Sequence, residues 1–215
     1  MVPTAGLDKL LEWNVPFCYA DGMTTWTVLT ESHQALRTAV RGVPTDGWTR
    51  PTPCAKWNVA QVLQHAVGDQ IAYAAFITGQ PGPSFDPFSP SGELEGDPVA
   101  LAEEAMDASA AAWATIAADR TDAPTPLPQG ALPAWVGAGA CGLDAAVHAW
   151  DIAVATGQPS PLTPALAAEL LKVAQEIVEP LRQYGAYAAV LAPTAGDDEV
   201  AALLRYLGRD PHAAL

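Results

Sequence analysis

Apolar positions recur at helical spacings along most of the chain, and the stretches between them are rich in proline and glycine. In "TTWTVLTESHQALRTAVRGV" Val28, Leu29, Leu36, Ala39 and Val40 fall on one face, and Gly42 and Pro44 end the run. A second helix starts after Asn58, a good N-cap with Gln61 at the capping-box position, and runs through "VAQVLQHAVGDQIAYAAFITG" to Gly79. A Pro/Gly/Ser loop over 80–96 leads to a third helix from about Pro98 to Asp119. Pro124, Pro126, Pro128 and Pro133 keep 121–136 from being helical throughout. The fourth helix covers about Ala138 to Thr156, stopped by "TGQPSPLTP", and the fifth about Pro164 to Tyr184, kinked or ended by Pro180. A short last helix, "DDEVAALLRYLG", has Asp197 near its N-cap and Gly208 at its end. Residues 1–22 show no sustained period and room for at most a short helix around Asp8 to Trp13. They read as an N-terminal extension to a single helical domain over 23–215. No strand pattern competes, so the expected class is all-α, a helical bundle with additions.

Composition narrows the setting. Half of the residues are hydrophobic, enough for a substantial core, and 24 Asp+Glu against 10 Lys+Arg give a net charge of −14. No stretch gathers basic residues with aromatics, which argues against nucleic acid as a partner, and the acidic balance disfavours an anionic membrane surface. No apolar run is long enough to span a bilayer. Cys18, Cys54 and Cys141 are widely spaced and form no C-x-x-C pair, and the opening "MVPTAGLDKLLEWNVPF" is broken by Asp8, Lys9 and Glu12, unlike a signal peptide. A soluble, cytoplasmic protein, monomeric or homodimeric, with a small-molecule substrate is the expectation.

Histidine is scarce, and its placement carries the chemistry. His212 lies in the tail and reads as solvated; His33 reads as a polar-face residue of the first helix. His65 and His148 sit in strongly apolar helices and need a reason. At about 100° per residue, Asp144, His148 and Asp151 line up beside the apolar stripe Leu143, Val147, Trp150, Val154, while His65 and Asp69 flank the apolar centre of the second helix. Such flanks face neighbouring helices, where bundles build metal and cofactor sites. A carboxylate and a histidine at i, i+4 can chelate from one helix, and two imidazoles with one carboxylate leave positions open for water or substrate. The D-x-x-x-H spacing alone is a weak signal, common by chance, and fits a satisfied His–Asp pair in the core better than a metal. Cys54, close to a helix N-terminus and to Lys56, is either an activated thiol or a packed one. Neither G-x-S-x-G, a P-loop nor G-x-G-x-x-G follows a strand.

Three separated motifs add a resemblance. "DGWTRPTPCAKWNVAQVLQHAVGDQ" resembles the second-helix signature of the mycothiol-dependent maleylpyruvate isomerase N-terminal domain family, part of the DinB-like superfamily: W-x-x-P-T-P-C-x-x-W, then a helix with L-x-H-L/A-V-G. "LDAAVHAWDIAVATGQP" resembles its fourth-helix signature, and "LLRYLGRDP" the ending typical of its actinobacterial metal-binding branch. The resemblance implies a DinB-like four-helix bundle with additional short C-terminal helices. It also implies a divalent metal, zinc foremost and nickel as the alternative, held by His65, Asp144 and His148. Asp144 stands where the family pattern carries Glu; it is one methylene shorter and keeps the oxygen donor and the charge. Asp151 is implied to orient a ligand, and Cys54 to be part of the loop structure. The implied activity is that of a thiol transferase or thiol-dependent isomerase using mycothiol or another low-molecular-weight thiol on a small electrophile, with a metal-bound thiolate as nucleophile. The further C-terminal domain of the maleylpyruvate isomerases is not expected here, so maleylpyruvate itself is not the expected substrate. A non-enzymatic metal- or small-ligand-binding bundle is the competing reading.

Overall fold

The computed structural model describes residues 26–213; the extension over 1–22, with the short helix expected at most around Asp8 to Trp13, lies outside the described residues. Six helices follow in order: α1 (Thr27–Arg41), α2 (Val59–Thr78), α3 (Pro98–Trp113), α4 (Ala134–Thr156), α5 (Pro164–Arg182) and α6 (Glu199–Tyr206). Among the described residues there are only two isolated β-bridges, Pro51–Asn58 and Ala123–Leu132. The first four helices close a ring in which α1 packs on α4, α4 on α2, α2 on α3 and α3 on α1. α5 covers the outer side of α4, and α6 packs on α5.

Sequence explains why α4 lies at the centre. It is apolar on nearly every side, and a helix of that kind has to be surrounded; only Trp135, Asp144, Val154 and Thr156 escape full burial. Its glycines let neighbours close in: a Cβ on Gly137 would meet the Trp113 ring at 2.6 Å, and one on Gly139 would meet Val173 Cγ2 at 2.4 Å. One apolar cluster joins α4 to α5 and α6 through residues such as Leu143, Leu170, Val178 and Leu204. Another fills the four-helix ring with Leu36, Val62, Leu63, Met106 and Ile152.

The helix ends differ from the sequence reading in instructive places. α2 begins as expected, with the reciprocal Asn58–Gln61 capping box formed. α3 ends at Trp113 rather than Asp119, because tight turns after it carry Ile116 back into the core. α4 begins four residues earlier than Ala138, directly after Pro133, where Ala134 N–H finds the Arg120 carbonyl at 2.8 Å. Pro180 lies inside α5 near its end, and Asp198 rather than Asp197 caps α6. Asp197 instead receives the Thr194 amide and pairs with Arg205 at 2.7 Å.

His33 is also corrected. It is buried, because its face of α1 meets α2 and α3, and its Nε2 lies 2.8 Å from Gln70 Oε1 with Ser109 alongside. Burial lowers its pKa to about 4 despite the Gln70 contact. His212 is exposed, as expected. No helix among the described residues is long and apolar enough to cross a membrane.

Candidate metal centre

α2 and α4 lie side by side, and His65, Asp144 and His148 meet between them. Each offers one donor atom, and the three donors lie within 4.8 Å of one another. His65 Nε2 is 3.2 Å and His148 Nε2 3.4 Å from Asp144 Oδ1. The i, i+4 spacing on α4 supplies two of the donors from one helix face, and α2 supplies the third.

The outer nitrogen of each ring is already committed. His65 Nδ1 lies 2.8 Å from the Pro87 carbonyl, and His148 Nδ1 lies 2.9 Å from Asp151 Oδ2. Both partners are acceptors, so each Nδ1 carries the hydrogen and donates it. In neutral rings both Nε2 lone pairs then face the Asp144 carboxylate. Lone pairs and an anion in a buried site repel unless a positive charge, a proton or a cation, sits among them. Asp144 Oδ2 is buried and has no hydrogen-bond partner among the described residues, so an acceptor is left over at the same place.

The protonation energetics express the same arrangement. Burial is the largest influence and opposes charge on His148, but the Asp144 carboxylate, the hydrogen bonds to Asp144 and Asp151 and the Asp151 charge together outweigh it, and the ring is pushed up to about 10. Burial also opposes charge on Asp144, yet His148 and then His65 hold its carboxyl far below the usual range. Asp151 is fully buried; the Arg209 guanidinium and the His148 ring overcome its burial and bring it down to about 2. Asp69, one turn beyond His65, is driven well above the usual carboxylate range by burial and then by the Asp144 charge. Burial pushes the Cys54 thiol up, only partly opposed by His148. That favours the packed thiol over the activated one.

The walls come from the loops. The Trp57 ring centroid lies 4.6 Å from that of His65, and Phe88 stands 5.6 Å from His65 while remaining 70 % exposed. The 80–96 loop is tied to α2 by Gln61 donating to the Pro90 carbonyl at 3.0 Å and by Gly92 N–H on Gln64 Oε1 at 2.9 Å. Gly68 permits this docking, since a Cβ there would meet Pro87 Cγ at 2.7 Å. The 121–136 connection instead closes on itself at Ala123–Leu132 and reaches α5 through Gln129 on the Ile177 carbonyl. Sequence reasoning brought all three donor residues into view, together with Asp151. It did not single out Pro87, Phe88 or Arg209, whose parts depend on loop paths that no spacing encodes.

Fold and site together define a DinB-like all-α bundle with a buried two-histidine, one-carboxylate cluster between adjacent helices. The chain belongs to the mycothiol maleylpyruvate isomerase N-terminal domain family, whose model matches residues 29–153. It is similar to uncharacterized proteins of Mycobacterium tuberculosis strains CDC 1551 / Oshkosh and ATCC 25618 / H37Rv. Each is 31% identical over 153 residues, covering 69% of this chain and 76% of the relative. No solved structure matches the chain significantly.

Proposed function

We propose that this protein is a divalent-metal-dependent thiol transferase or thiol-dependent isomerase acting on a small electrophile, with His65, Asp144 and His148 holding the cation. The observation that carries the reading is the centre itself: two rings fixed through Nδ1 turn both Nε2 atoms onto Asp144 Oδ1, and Asp144 Oδ2 is buried without a partner. This donor set suits zinc, and nickel accepts the same imidazole and carboxylate donors. When bound there, the cation supplies a Lewis-acidic charge that favours a thiolate over a thiol.

The chain's own groups supply the remaining parts. Pro87 and Asp151 hold the two rings in register, so little reorganisation is needed when the site fills. Trp57 and Phe88 offer aromatic surface beside His65 for the apolar part of a substrate. Asp69 keeps its proton to higher pH than an exposed carboxyl, which limits the negative charge around Asp144. Family membership supports mycothiol as the thiol, and a cytoplasmic setting would keep such a thiol reduced. The family description names an N-terminal domain rather than a whole enzyme, which favours a second reading: a bundle that binds a metal or small ligand without turnover.

Thiol consumption separates the two. Zinc-loaded full chain is incubated with mycothiol and a panel of neutral and anionic electrophiles, and free thiol and substrate geometry are followed. Turnover that disappears in His148→Ala supports the enzyme. Absence of both conjugation and isomerisation across the panel leaves the binding reading.

A further inference from the structure

Arg209 lies 58 residues beyond Asp151 and outside the family-matched segment, yet it closes on the carboxylate behind the candidate centre. Its Nε donates to Asp151 Oδ1 at 2.9 Å and its Nη2 to Asp151 Oδ2 at 2.7 Å, a two-point fork on a side chain with no solvent exposure. Asp151 Oδ2 is also the acceptor of His148 Nδ1–H at 2.9 Å. The chain of contacts therefore runs from guanidinium to carboxylate to ring, and ends at the His148 Nε2 that faces Asp144.

The approach of Arg209 is built into the backbone. Leu203, Leu204 and Leu207 anchor α6 in the core, and Gly208 turns the chain with φ 78°. A Cβ at Gly208 would meet Ala188 Cβ at 2.7 Å and the Ala189 carbonyl at 2.8 Å, so only glycine fits the turn. Arg209 N–H then closes on the Leu204 carbonyl at 2.8 Å, which fixes where the side chain departs.

We infer that Arg209 is a positioning residue: it orients the Asp151 carboxylate that sets the His148 ring, so that the C-terminal segment completes a site whose donors lie on α2 and α4. The inference rests on the metal reading for its consequence and on the contacts above for its geometry. A buried ion pair is weak evidence of a purely stabilising role, because the desolvation of two charges offsets most of their attraction. A guanidinium fork fixes both the position and the plane of a carboxylate. Without it, Asp151 keeps a single partner and turns, and the His148 ring loses its fixed acceptor.

The test compares full-length wild type, Arg209→Met and Arg209→Lys. Zinc affinity is measured by chelator competition, the cobalt-substituted protein by its visible d–d spectrum, and the metal-free protein by imidazole 15N NMR. Arg209→Met is expected to weaken zinc binding by up to about 10-fold, the low end of the range for removing a ligand's direct partner, because Arg209 acts through Asp151. It should also change the cobalt spectrum and broaden the His148 Nδ1–H signal. Arg209→Lys, which keeps charge but loses the fork, should fall between and covers the case in which Arg209→Met does not fold. Wild-type zinc affinity, cobalt spectrum and His148 signal in folded Arg209→Met or Arg209→Lys would overturn the inference. Wild type that binds neither metal while the variants still lose the His148 signal would remove the metal reading and leave the positioning role standing.

Discussion

Filling the site should expel a proton, and the number follows from His148. The Asp144 carboxylate keeps that ring protonated up to about pH 10, whereas a free histidine titrates near 6.5. A metal-ligating imidazole is neutral, so the entering cation displaces this proton. Over about pH 6.5 to 8.5 one proton should therefore leave His148 for each cation bound. Apparent affinity then rises about tenfold per pH unit, or about 2.7 kcal/mol across the window, and flattens above about 10. Calorimetric titration of zinc into chelator-treated full chain, in two buffers of different ionisation enthalpy, counts the protons directly. The metal-free chain has a matching signature. Its His148 pKa is raised on folding, so the stabilising contribution is complete below about 6.5 and is lost as pH rises through about 10. Metal-loaded protein should lack that alkaline loss. Zinc binding that is independent of pH and releases no proton in this window would refute the reasoning.

Other perturbations test the packing and the walls. His33 is buried neutral with its pKa lowered to about 4, so stability present above 6.5 is lost as pH falls toward about 4, by about 3 kcal/mol. Urea titrations of wild type and His33→Gln at pH 7 and pH 4 should diverge by that amount, and parallel losses would contradict it. Gly139→Ala sets a methyl against Val173 Cγ2, 2.4 Å from the ideal Cβ, and should cost about 1–3 kcal/mol in chemical denaturation. Phe88→Ala should raise KM for an aromatic electrophile by about 2- to 10-fold with kcat little changed, because it removes a ring contact and leaves the donors in place.

What was legible in the sequence follows the range of the forces involved. The α2 start was readable because the Asn58–Gln61 box is local. Asp144 and His148 were a pair by helical spacing alone, while His65 joined them through the family motif around it. The α3 end was not readable, since its last turns were given up to bury Ile116, a tertiary gain with no local signal. His33 read as a polar-face residue because its partners, Gln70 and Ser109, lie 37 and 76 residues away. The same distance effect hid the Pro87 carbonyl behind His65, 22 residues on, and Arg209 behind Asp151.

Metal content is the most direct measure of the central claim. Wild type, His65→Ala and His148→Ala are purified, stripped with chelator, incubated with zinc or nickel, desalted and subjected to elemental analysis, with circular dichroism to establish that each remains helical. The His65–Asp144–His148 centre predicts about one divalent ion per wild-type chain and loss of it in both variants. Wild type that stays metal-free after both incubations, or helical variants that retain a full equivalent, would contradict it.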